Sequence, residues 1–110
     1  MGTLPFGLMI CAALLPLPGR ADADTHDGET IVREVCSLCH ATGQMGAPRI
    51  GDGNAWQQRL RNAGSLESLA LSAEHGRGNM PPRGGESELS RADLEAAIRY
   101  MLSRSGVATQ

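Results

Sequence analysis

Lysine is absent from this chain of 110 residues, and aromatic side chains nearly so: there is one Phe, one Tyr and one Trp. The basic residues are therefore all arginine, and they leave a net charge of −2. A nucleic-acid-binding surface needs a basic patch, which this balance does not supply. No run of alternating apolar and polar residues is long enough for a strand, so a sheet-based fold is excluded. So little aromatic volume in so short a chain makes a thin core. Domains of this size usually need a staple, a metal or a cofactor to complete the middle.

Thr3 to Pro18 is almost wholly apolar, yet too short and too broken by proline to be a membrane span. Ala21 and Ala23 follow as the small residues of a cleavage site. Residues 1–23 read as a secretory signal peptide and residues 24–110 as the working domain. No Lys or Arg precedes the apolar run, so a leader retained as an anchor stays open as the alternative.

Past the leader, short helices alternate with Gly/Pro loops. Ile31, Val32, Val35 and Leu38 recur at helical spacing and predict a helix over Gly28–Cys39, with Thr25 or Asp27 as its N-cap. Two more helices fit Ala55–Ala63, stopped by Gly64, and Leu66–Glu74, capped by Ser65 and stopped by Gly76. Ser90 with Asp93 three residues on is an acidic capping box, opening a last helix with Leu94, Ala97, Ile98 and Met101 on its buried stripe. Residues 105–110 are expected to fray, and His26 and His75 to be exposed without a role.

The chemistry gathers at "VCSLCHATG", Val35 to Gly43. A zinc site would need a second pair of ligands, and the third cysteine, Cys11, lies in the leader. A thioredoxin-like dithiol needs a preceding strand. A plain disulfide leaves His40 unexplained. Covalent haem attachment uses all three residues: Cys36 and Cys39 share a helix face and reach two vinyl groups as thioethers, and His40 brings an imidazole to the iron. For the sixth position the candidates are Met45, Met80, Met101, His26 and His75. Met101 belongs to a core stripe and Met45 is too close to His40. Met80 stands in "GNMPPRGG", forty residues beyond His40, in a loop stiffened by Pro81 and Pro82.

These residues, in this order, resemble a class I cytochrome c, most of all the short bacterial subgroup around cytochrome c-five. "CSLCH" matches the haem motif, "GAPRIGD" the loop after it, "AWQQR" the Trp-bearing helix, "NMPPRGG" the distal methionine loop and "LEAAIRYM" the closing helix. Gly28 matches the small residue where the first and last helices cross. The resemblance implies an all-α fold, four or so short helices wrapped around one covalently bound haem c. It implies Cys36 and Cys39 as thioether anchors and His40 and Met80 as axial ligands. It gives the Pro48 carbonyl as acceptor for the His40 Nδ1–H. Trp56 and Arg59 are candidates for a haem propionate, with plain packing and a solvated charge as their alternatives.

The chain departs from the pattern in three places. "GGESELS" lacks the extra cysteine pair of several relatives, Val32 stands where an aromatic is frequent, and the lysine ring of mitochondrial cytochrome c is absent. The implied function is single-electron transfer in a periplasmic respiratory or dehydrogenase-linked chain, without enzymatic activity. The implied partners are redox proteins: a dehydrogenase, a quinol–cytochrome c reductase or a terminal oxidase. The rivals are a haem sensor or peroxidatic protein with a displaceable methionine, and a dedicated dehydrogenase subunit.

Overall fold

The computed structural model describes residues 26–109, together with Gly2, Thr3 and Gly7. Beyond those three residues, the leader expected over residues 1–23 lies outside the described residues, as does Thr25. The first helical rod is built in three pieces. Helix α1 (Gly28–Ile31) runs into a π-helical turn (Val32–Cys36), which passes directly into α2 (Ser37–His40). A π turn inserts an extra residue and rotates everything after it about the axis. The expected unbroken helix is thus phased anew as it enters the cysteine–histidine motif at Cys36. Asp27 takes the N-cap position with an extended backbone.

Three further helices follow: α3 (Gly53–Ala63), α4 (Leu66–His75) and α5 (Arg91–Arg104). Helix α3 begins two residues earlier than its apolar pattern suggests, because the Asp52 side chain caps it by accepting from the Ala55 N–H. Ser65 caps α4 through the Ser68 N–H, and Gly64 closes α3 in the left-handed region. Among the described residues there is no strand, only an isolated bridge between Arg77 and Met80.

Gly28 lets α1 cross α5 at close range. A Cβ there would lie 2.7 Å from the Ala96 carbonyl carbon and 3.3 Å from the Ala97 nitrogen. Behind this crossing sits the core: Ile31 and Val32, Leu69 and Ala70, and Leu94, Ala97, Ile98, Met101 and Leu102.

Two expectations need correcting. The C-terminus does not fray at residue 105. Gly106 is left-handed, its N–H donates to the Ser103 carbonyl at 3.2 Å, and the Val107 N–H donates to the Leu102 carbonyl at 2.9 Å. This is a Schellman motif, and it buries Val107. Ser105 is buried too: its hydroxyl accepts from the Gly51 N–H at 2.9 Å and pins the loop before α3. Nor is His26 without a role. Its backbone N–H donates to Asp93 Oδ1 at 2.7 Å and its ring Nδ1 lies 3.2 Å from the same atom.

Asp93 therefore does two tasks. It closes the capping box with Ser90 and ties the start of the domain to α5. Burial raises the cost of its charge, but the N–H donors of His26 and Ser90 outweigh that and hold the carboxyl below its ordinary range. A carboxyl lowered in the folded state contributes stability above its unfolded pKa and loses it as pH falls through the folded value. Asp93→Asn should cost about 1–2 kcal/mol at neutral pH. It should also flatten the acid limb of the stability curve below about pH 4. Thermal melts from neutral pH into the carboxylate range would show both effects.

Candidate functional site

His40 closes α2, is 8% exposed, and has its ring fixed from two sides. Its Nδ1 lies 2.7 Å from the Pro48 carbonyl oxygen. A carbonyl can only accept, so Nδ1 carries the proton and Nε2 keeps its lone pair. That is the tautomer and orientation a metal-binding imidazole needs. On the other side the Trp56 ring packs at a centroid distance of 5.3 Å. The loop holding Pro48 is itself anchored, since the Ile50 N–H returns to the His40 carbonyl at 2.8 Å.

His40 faces a cavity of about 390 Å³ that Cys39 also lines. Its walls come from every helix after the π turn: Trp56 and Arg59 on α3, Leu69 and Ala73 on α4, Ile98 and Met101 on α5. Met80 completes the lining from the loop between α4 and α5. That loop is shaped as a tight turn. The Arg77 N–H donates to the Met80 carbonyl at 3.0 Å, and the Met80 N–H donates back at 2.8 Å. Gly76 lets the chain fold back on itself, since a Cβ there would lie 2.9 Å from both the Met80 carbonyl oxygen and the Pro82 nitrogen.

Cys36 and Cys39 are half-buried and not joined to each other by a disulfide. Burial pushes the Cys36 thiol up to about 11. Among the described residues no three Cys, His, Asp or Glu side chains converge as a metal-holding group. The donor set fits haem: an imidazole with its Nε2 free and a thioether on one apolar-walled cavity, and at its edge a thiol pair one helical turn apart, of which Cys39 lines the cavity.

Trp56 is 3% exposed and spends its single N–H on the Arg49 carbonyl at 3.0 Å. Of its two expected roles the packing one is visible, against the His40 ring, and the propionate contact stays a proposal. Arg59 stands at the cavity wall, where its guanidinium reaches the Gly46 carbonyl at 3.5 Å. Arg77 and Asn79 also line the cavity and were not singled out from sequence. Asn79 donates to the Met45 carbonyl at 3.2 Å and so joins the methionine loop to the loop after the cysteine motif. The Gly-Asn pair inside "RGNM" is the turn signal that could have revealed this clasp.

Short helices packed around an imidazole-bearing cavity, with a Cys-x-x-Cys-His segment at its edge, are the marks of a c-type cytochrome. Known proteins narrow that further. The family model described as "Cytochrome C oxidase, cbb3-type, subunit III" matches residues 23–101. Cytochrome c5 of Azotobacter vinelandii is 38% identical over 74 residues, covering 67% of this chain and 89% of that protein. A mono-heme ferrocytochrome c from Shewanella putrefaciens superposes with a TM-score of 0.62 at 34% identity, over 72% of this chain and 95% of that one. A chain from the crystal structure of an electron transfer complex of nitrite reductase with cytochrome c superposes with a TM-score of 0.65 at 38% identity, over 71% and 93%. The chain belongs to the cytochrome c family and is similar to its short class I monohaem members. It is an electron carrier rather than an enzyme, and its cofactor is one covalent haem c.

Proposed function

We propose that this cytochrome holds its haem through Cys36 and Cys39, with His40 and Met80 as axial ligands. It would shuttle single electrons between redox proteins in the periplasm. The observation that carries the proposal is the His40 Nδ1–Pro48 carbonyl bond, which leaves Nε2 free toward a cavity that Met80 also lines. A haem bound there supplies a one-electron iron couple. The protein's part is to fix both ligands and keep water out. Leu69, Ala73, Ile98 and Met101 give the cavity apolar walls, and a methionine ligand with such walls raises the potential.

Electron partners would approach where the motif reaches the surface. Leu38 and Met45 are both largely exposed there. The neighbour solved in complex with nitrite reductase supports a redox enzyme as the kind of partner. Thioether formation belongs to the export side, and with the leader expected over residues 1–23 it supports the periplasm. No helix among the described residues is long and apolar enough to cross a membrane.

The attachment is tested in a host with cytochrome c maturation machinery. Wild type should keep its haem through acid–acetone extraction. Each single variant, Cys36→Ala or Cys39→Ala, should keep it through one thioether, with a shifted pyridine haemochrome band. The double variant should lose it completely. Haem retained by the double variant after extraction would contradict the assignment.

A further inference from the structure

The bonds that shape the Met80 turn run between Arg77 and Met80 and fix its form. On one side Asn79 ties the turn to the Met45 carbonyl. A second tie to the scaffold comes three residues after Met80. Arg83 has a left-handed backbone, φ 56°, which is uncommon and costly for a residue with a Cβ. From that backbone its guanidinium reaches Glu74 Oε1, 3.4 Å away in the last turn of α4. The other Glu74 oxygen accepts from Arg91 Nε at 2.6 Å, and Arg91 is the first residue of α5. One carboxylate thus joins the end of α4, the methionine loop and the start of α5.

This is not an ordinary surface pair. The Glu74 side chain is only 17% exposed. Arg83 Nε is buried with no hydrogen-bond partner, so the Arg83 cation is partly stripped of water and answered by Glu74. Arg91, by its hydrogen bond and its charge, holds the Glu74 carboxyl below its ordinary range. Between Arg83 and Met80 stand only Pro81 and Pro82, whose φ angles are fixed by their rings. With φ fixed at both prolines, only their ψ angles can absorb a shift at Arg83, and the remainder passes on to Met80.

We propose that Glu74 is a positioning residue for the Met80 thioether, acting through Arg83 to press the methionine loop onto the cavity. The proposal rests on Met80 being an iron ligand. When Glu74 loses its charge, Arg83 is released to water, its left-handed turn relaxes, and the loop lifts more often.

The test is a titration of the ferric holoprotein with imidazole, which takes the sixth position when the loop lifts. The loss of the weak far-red sulfur–iron band is followed. The apparent affinity scales with the population of the lifted state. Glu74→Gln and Arg83→Gln should each bind imidazole about ten-fold more tightly than wild type, and Arg83→Lys should recover most of the difference. Gly28→Ala serves as the control for stability lost elsewhere, and should leave the affinity within about two-fold. The proposal is overturned if both Gln variants match wild type or move no further than Gly28→Ala. If the wild-type band is missing or survives Met80→Ala, the ligand assignment fails and takes this proposal with it. If the band behaves as expected and both Gln variants are silent, this proposal alone fails.

Discussion

His40→Gly should give a protein whose ferrous spectrum is no longer low-spin, and added imidazole should restore it. The expectation follows from the way the ring is held. The Pro48 carbonyl fixes the Nδ1 proton and Trp56 packs on the ring, so the imidazole is set before any haem arrives. Removing it opens a space beside Trp56 whose carbonyl acceptor is still in place, because the Ile50 N–H holds that loop through the His40 backbone, which the substitution retains. Free imidazole can fill this space in the same orientation, donating to Pro48 and presenting its other nitrogen. The change should be complete without imidazole and largely reversed at saturation. An unaltered low-spin spectrum in the variant would mean that another side chain serves as proximal ligand.

The second large effect is structural. Gly28→Ala places a methyl group against the Ala96 carbonyl, with 2.7 Å to its carbon and 3.3 Å to the Ala97 nitrogen. These neighbours are backbone atoms in the middle of α5, so they cannot rotate away as a side chain would. Alanine favours helix by up to about 1 kcal/mol over glycine, which offsets part of the cost. Overpacking of about 1–3 kcal/mol, with the unyielding backbone at the upper end or beyond it, leaves a net loss of about 2 kcal/mol. In a domain of this size that lowers Tm by roughly 10 °C. Melting of the holoprotein followed by far-ultraviolet circular dichroism measures it, and an unchanged Tm would show that the helices cross without needing the glycine.

The sequence is most informative where a feature is local. The capping box of Ser90 and Asp93 and the stops at Gly64 and Gly76 involve atoms a few residues apart, and the structure shows them. The Cys36-to-His40 spacing is local too, and led directly to a covalent haem. The π turn over Val32–Cys36 carries no such signal. The same residue types fit an ordinary helix, and packing against α5 bears on which form results. The C-terminal closure was legible in principle, since a glycine followed by an apolar residue, Gly106 and Val107, is the Schellman pattern; polar neighbours masked it. Trp56 is a different case. An indole N–H seeks an acceptor, and no rule of spacing points to the Arg49 carbonyl that it meets here. The Glu74 link to Arg83 and Arg91 spans 9 and 17 residues and exists only once α4 and α5 are packed.

The central claim is that Met80 faces His40's cavity as the second axial ligand of an electron carrier. The absorption spectrum of the oxidised protein, beside that of Met80→Ala, tests it most directly. The account predicts a weak far-red band from methionine sulfur on ferric iron in the wild type and its complete loss in the variant. A high-spin wild-type spectrum, or a band that persists without Met80, would contradict it.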